Sequence, residues 1–405
     1  MATAAVQTSQ CKQWHERYPE LGTGPMPIEP YISHAYFEKE RELIFRKVWL
    51  NVGRVEQLQH PGDYVVRDLA VCKTSILIVR GKDGAIRAFH NMCSHRGNKL
   101  VAAANGTCKG LLACKFHGWS YGLDGSLRHI ADEASFFNLN KESLGLTPIA
   151  VDIWEGFIFI NMDPNPKETL REYLGEWGSD LGGYPFGELS ATLFFWRTEI
   201  KANWKVVKDA FQEVWHIPTL HQNTIPTVFS DTVNKYGHAL NFKLYPRHGQ
   251  ISLSGNRDRK PTAVESCALR HGFGRTLIKQ SSRLTAKGVN PTKDPRWATD
   301  GNAFFPNCLF YLAERSYLTH TFWPLAEDLT LWEARFYYPK AKTLAQRFSQ
   351  EYAKVILRDI NMEDGSTLER TQMMLASGAK KEILLQDEEL LIRHHHHVAE
   401  TYLRA

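Results

Sequence analysis

No run of 18 or so uncharged apolar residues, the minimum for a bilayer-spanning helix, occurs anywhere in these 405 residues. The opening stretch MATAAVQTSQCKQWHERYPE has no continuous apolar core, which argues against a secretory signal. Cysteine is sparse and odd in number, seven in all, so a disulfide scaffold is not expected. A cytoplasmic location, with thiols free for metal, follows from that usage. Lysine and arginine are scattered despite a net charge of +5, which argues against nucleic acid as a partner. There is no Gly-rich dinucleotide fingerprint, no internal repeat, and no low-complexity tract apart from His394–His397.

What is present is ordinary globular material, 43% hydrophobic and 23% charged, in a chain long enough for two cores. Residues 1–35 read as an irregular arm, and AYFEKERELIFRKVWL (35–50) as an amphipathic helix. From about Pro61 short β-rich runs alternate with turn signals such as KDG, as far as GFIFINMD ending at Asp163. A Pro-rich joint, DPNPKE, follows. Beyond it LFFWRTEI reads as a strand, NWKVVKDAFQEVWH as a helix, 235–340 as strands and loops, and 342–378 and 384–403 as helices. The expected division is an N-terminal arm and helix over 1–50, a small β domain over 51–163 and a larger domain over 164–405.

NMCSHRG (91–97) and CKFHGW (114–119) set out Cys93, His95, Cys114 and His117 as C-x-H, eighteen residues, then C-x-x-H. Two thiolates and two imidazoles are the ligands of a Rieske [2Fe–2S] centre. Each loop supplies one sulfur and one nitrogen, Gly97 and Gly118 permit tight turns, and Trp119 is placed to shield a cluster from water. A structural zinc site uses the same four atoms, but its loops more often pair C-x-x-C with H-x3–5-H. Cys108, between the loops, reads as a non-ligand thiol.

This region resembles the Rieske domain of ring-hydroxylating and related oxygenases, and NWKVVKDAFQEVWHIPTLH (203–221) resembles the mononuclear iron motif of the same family. The matching positions are Asn203, Trp204, Lys205, Glu213, His216 and His221. Glu213 and His216, three apart, would share one face of a helix. His216 and His221, five apart, would diverge by about 140° on an ideal helix, so Pro218 is needed to fold the chain back. The third ligand is expected from INMEDGSTLERTQ (360–372), where Asp364 and Glu369 fit the family's closing motif. Glu363 and Asp359 are the runners-up. Two histidines and a carboxylate on one face suit an iron(II) site that activates O₂. Glu213 stands where many members have Asp, and Ala210 where many have Asn. His394–His397 are read as surface or packing residues.

The resemblance implies an α+β fold: an antiparallel β Rieske domain plus a helix-on-antiparallel-sheet catalytic domain with mononuclear iron. It implies one [2Fe–2S] cluster and one Fe(II) per subunit, O₂ as co-substrate, and electrons from NAD(P)H through a separate reductase or ferredoxin. The mildly basic surface suits either an acidic electron carrier or plain solvation. A homotrimer is implied, with or without a small beta subunit, and no membrane. Glu213 is the expected electron-transfer bridge between subunits, linking His117 of one to His216 of the next, and Asn203 a further catalytic residue. The leading substrate expectation is a hydrophobic aromatic or polycyclic molecule, hydroxylated by mono- or dioxygenation. The alternative, prompted by Glu213 and the aromatics, is oxidation of a quaternary or N-methylated amine. A pure electron carrier is the remaining class, and it would not need His216, His221 and Asp364.

Overall fold

A computed structural model describes residues 13–270 and 285–404, the side chain of Thr192 excepted. Residues 1–12 of the expected arm and 271–284 of the expected strand-and-loop run lie outside the described residues. The chain divides into two compact units, 38–175 and a second formed by 1–37 with 176–405.

In the 38–175 unit the β-branched run Thr74–Arg80 pairs antiparallel with Asp63–Leu69 and with Ile86–His90. The turn expected at KDG joins Thr74–Arg80 to Ile86–His90. Gly84 adopts φ 82° there, and the Asp83 carboxylate accepts the Ala85 N–H at 3.1 Å. These strands lie inside a seven-stranded antiparallel sheet, ordered Leu50–Arg54, Phe157–Asn161, Pro148–Trp154, Ile86–His90, Thr74–Arg80, Asp63–Leu69, Asn105–Thr107. A three-stranded sheet, Leu111–Ala113, Ser120–Gly122 and Leu127–His129, carries the second of the two cysteine–histidine loops at its first turn. Leu77, Val79, Phe89, Leu112, Trp119 and Tyr121 form one buried cluster with Cys93 and Cys114.

The other unit is built on a second seven-stranded antiparallel sheet. Its order is Thr192–Ile200, Leu329–Tyr338, Tyr317–Ala326, Cys308–Leu312, Trp297–Phe304, Gly249–Ser254, Asn241–Leu244. The inner strand Tyr317–Ala326 is buried on both faces along most of its length, which suits its run of Leu, Thr, Phe and Trp. Helix Leu344–Ala376 starts at Thr343, whose hydroxyl accepts the Gln346 N–H at 3.2 Å. Its buried positions include Leu357, Ile360, Asn361, Asp364 and Leu368, one stripe at helical spacing. The last helix, Leu390–Arg404, follows.

Two local expectations are corrected. The stretch 35–50 is helical only over His34–Glu40; a wider π turn follows over Arg41–Phe45, and Leu50 already begins a strand. The segment NWKVVKDAFQEVWH is not one helix either. The helix spans Trp204–Asp209, after which Phe211 N–H bonds Lys208 O and Gln212 N–H bonds Asp209 O, three-residue turns that cannot continue an α-helix. A new short helix, Ile217–Leu220, starts with Pro218 in its first turn, where a missing N–H costs nothing.

Candidate metal centres

In the 38–175 unit the two loops repeat one backbone pattern. Gly97 N–H bonds Cys93 O and Gly118 N–H bonds Cys114 O, both at 3.0 Å, with φ of 72° and 75° at the two glycines. Each turn is closed again one residue on, Cys93 N–H to Asn98 O at 2.9 Å and Cys114 N–H to Trp119 O at 2.8 Å. A residue with a Cβ would be strained at either glycine. The loops set the rings of His95 and His117 edge to face, centroids 4.7 Å apart, and the buried Trp119 stacks on His95 at 5.0 Å. His95 Nδ1 is buried with no hydrogen-bond partner.

Both sulfurs have donors nearby. The Tyr121 hydroxyl is 3.2 Å from Cys93 Sγ and accepts the Ser94 N–H at 2.9 Å, while Asn98 Nδ2 donates to Cys114 Sγ at 3.5 Å. Burial raises the Cys114 thiol, but the backbone N–H groups of Phe116 and His117 and the Asn98 amide outweigh it, and the net direction is down. Partial burial, then the neighbouring His117 and Arg96, push His95 down. A thiolate and a neutral imidazole with an orphaned Nδ1 are what an iron–sulfur cluster takes as ligands, so these residues fit the group. Cys108 and the other described cysteines form no disulfide.

In the larger unit, the turn that replaces the expected helix still joins Glu213 to His216. Glu213 Oε1 is 2.5 Å from His216 Nδ1, and Oε2 accepts the His216 backbone N–H at 3.2 Å. His221, at the end of the short helix, has Nδ1 2.7 Å from Glu363 Oε2, which also accepts the Thr224 hydroxyl at 2.7 Å. With each Nδ1 held by a carboxylate, the two Nε2 atoms turn toward Asp364 Oδ1, at 3.7 Å from His216 and 3.0 Å from His221. Two imidazole nitrogens and a carboxylate oxygen thus converge, which fits a divalent iron held by two histidines and one carboxylate. Burial opposes charge on both rings, but the carboxylates win: His216 is raised by Glu213 and Asp364, and His221 by Asp364 and Glu363.

The remaining sequence-named residues lie elsewhere. Asn203 caps the Trp204–Asp209 helix, with Oδ1 accepting Lys205 N–H at 3.0 Å and Nδ2 donating to Glu327 O at 2.7 Å. It is not among the residues lining the cavity beside the metal ligands. Glu369 accepts the Lys201 N–H at 3.0 Å, and Asp359 pairs with Arg358. Of His394–His397, the first three are buried packing residues and His397 is exposed, in line with their reading as surface or packing residues. His395, His396 and Asp209 bring ligand atoms within 4.8 Å of one another. Tyr31 closes that group, donating to Asp209 Oδ2 at 2.8 Å with His396 Nε2 2.9 Å from the same hydroxyl. The buried Lys208, pushed down to about 7 by desolvation, lies next to it in sequence.

The cavity beside His216, His221 and Asp364 measures about 50 Å³ and is walled by Phe211, Phe229, Tyr311 and His320, with Leu, Ile and Val between them. Glu363, Tyr121, Asn98 and Asn361 are the residues sequence reasoning missed or misassigned. Glu363 alone had a signal, as the neighbour of the expected ligand.

A family described as the ring hydroxylating alpha subunit (catalytic domain) matches residues 194–405, and the Rieske [2Fe-2S] domain matches 48–142. The chain belongs to the Rieske ring-hydroxylating oxygenase alpha subunits. Its cofactors are therefore a Rieske [2Fe–2S] cluster and a mononuclear iron, and its α+β fold is that of the family. The carnitine monooxygenase oxygenase subunit of Acinetobacter baumannii is 35% identical over 211 residues, 51% of this chain and 54% of that protein. The large oxygenase component of the naphthalene 1,2-dioxygenase system of Pseudomonas aeruginosa is 34% identical over 199 residues, 47% of this chain and 42% of that one. The chain thus spans about half the length of these curated relatives. A solved quaternary ammonium Rieske monooxygenase shares the fold with a TM-score of 0.75 at 22% identity, covering 98% of this chain and 99% of that one.

Proposed function

We propose that this Rieske oxygenase subunit is the terminal oxygenase of a multicomponent system and oxidises a quaternary or N-methylated amine. The observation that carries the reading is the convergence of His216 Nε2, His221 Nε2 and Asp364 Oδ1 beside a small aromatic-walled cavity, in a chain that also holds Cys93, His95, Cys114 and His117 on two matched loops. The order of the two substrate expectations reverses. The cavity is walled by Phe211, Phe229 and Tyr311, and aromatic rings favour a cation. The match to the carnitine monooxygenase subunit points the same way. Oxidation of an aromatic ring is the second reading, favoured by the match to the naphthalene dioxygenase component.

In this reading residues 51–163 hold the cluster and 164–405 the iron, after an arm and helix over 1–50. The iron, when bound, supplies O₂ activation with electrons delivered through the cluster. The protein's own part is positional. Glu213 and Glu363 fix the tautomers of His216 and His221 by accepting hydrogen bonds from their Nδ1–H groups. Phe211, Phe229 and Tyr311 exclude water and seat the ammonium group. Glu213 also serves as the electron bridge to His117 of a second subunit in a homotrimer, and Asn203 anchors the helix that precedes it. Electrons come from NAD(P)H through a separate reductase or ferredoxin.

The test is iron content and turnover together. Purified protein should hold three irons per chain and, with a reductase, consume O₂ and release an oxidised product from N-methylated amines. Two irons per chain and no oxygenation of amine or aromatic panels would leave only an electron carrier.

A further inference from the structure

Asn361 lies one helical turn before Asp364 on Leu344–Ala376 and lines the same cavity. It is 1% exposed, and neither its Nδ2 nor its Oδ1 has a hydrogen-bond partner. An amide buried with both its donor and its acceptor unmatched is costly and rare. It is retained where something that is not part of the chain completes it. Several of the cavity's other polar groups are engaged within the protein. Thr299 donates to Leu312 O, the Tyr311 hydroxyl donates to Phe211 O, and His320 Nδ1 accepts from the Trp332 indole N–H at 2.9 Å, which leaves its proton on Nε2.

We infer that Asn361 is a specificity-determining residue that binds a hydroxyl or amide group of the substrate, and that the substrate is an amine cation bearing such a group. A hydroxyl or amide both donates and accepts, and so satisfies Oδ1 and Nδ2 together. A bare alkyl group satisfies neither. The inference rests on the amine reading above for the cationic class, but not for the role of Asn361.

The test compares near-isosteric ligands on the iron-loaded protein by calorimetry, with turnover as a second readout. Choline should bind about tenfold or more tightly than propyltrimethylammonium, the value of one good hydrogen bond. In Asn361→Leu the choline preference should fall to within about twofold, with the cluster spectrum and iron content unchanged, and the melting temperature of the ligand-free protein should rise. If Asn361→Leu does not fold, Asn361→Ser against Asn361→Ala decides: the serine should keep part of the preference and the alanine lose it. A preference that survives the loss of the amide, or wild-type protein that does not distinguish the two ammonium ions, overturns the assignment of Asn361. Binding of naphthalene but of neither ammonium ion would overturn the amine reading and the cationic class. The ratio of 2-naphthol to naphthalene in the same variants would then decide the role of Asn361, upheld if the variant loses the preference and overturned if it keeps it.

Discussion

One oxygen of Glu213 sits 2.5 Å from His216 Nδ1 while the other accepts the His216 backbone N–H, so a single carboxylate fixes both the ring and the chain that carries it. Glu213→Gln keeps the shape and removes the charge. Turnover should fall by about 10–100-fold, the usual cost of losing a carboxylate behind a ligating histidine, with both metals still bound. Mixing Cys93→Ala chains with His216→Ala chains, each inactive alone, should restore part of the activity if electrons cross between subunits. Verified mixed oligomers without activity would place the transfer within one chain.

His216→Ala, His221→Ala and Asp364→Ala should each lower iron from three to two per chain and abolish oxygenation, leaving the spectrum of the Cys93–His95–Cys114–His117 centre intact. Glu363→Ala should do less, weakening iron binding by about 10–100-fold through a loosened His221. Iron analysis of the four variants checks the ranking. Full iron and turnover in Asp364→Ala would move the third ligand to another carboxylate.

At the other centre, the dithionite-reduced protein should give the low-g EPR signal of a two-histidine [2Fe–2S] cluster, and stoichiometric zinc in a colourless protein would refute it. Tyr121→Phe removes the hydroxyl beside Cys93 Sγ. Fewer hydrogen bonds to sulfur favour the oxidised cluster, so the reduction potential should become more negative with the EPR line shape kept.

Asp300, on the sheet strand Trp297–Phe304, is pushed up to about 7 by complete burial, with Ser252, the Asn290 backbone N–H at 2.8 Å and Trp297 pulling the other way. The native protein therefore holds this proton up to about pH 7, whereas an unfolded aspartate releases it near pH ~4. Between those values the native state binds more protons, and stability falls as pH rises, by at most about 1.4 kcal/mol per unit. Asp300→Asn cannot ionise. Its melting temperature should gain on the wild type from pH 5 to pH 7, and a constant difference would show that the carboxyl is ionised throughout.

The two cysteine–histidine turns were legible because their spacing is local: C-x-H-x-G and C-x-x-H-G each fit one tight turn, and both turns form as the glycines require. The β-rich character of the small unit and the long late helix were legible for the same reason. The end of the helix at Asp209 was not, because it depends on bonds such as Gln212 Nε2 to Asp209 Oδ1 at 3.0 Å that compete locally with a sequence of good helix formers. Glu363 was weighed only as a rival ligand. Its true place, on His221 Nδ1, joins positions 142 apart in the chain, and no local pattern encodes that. Which of His394–His397 pack and which face solvent was not legible for a similar reason: it depends on the elements that enclose them.

Glu363 and Asp364 are neighbours on one helix, yet they face opposite nitrogens of the same imidazole, Nδ1 at 2.7 Å and Nε2 at 3.0 Å. His221 is thereby yoked to the helix at two points. If Leu344–Ala376 slid along its axis, both carboxylates would travel together and swing the ring like a crank, rather than let one grip slip while the other held. Tolerance at this site is then a property of the helix as a rigid rod. Distant changes that shift its register, such as repacking around Leu357 or Leu368, should disturb iron occupancy, whereas changes that leave the rod in place should be absorbed.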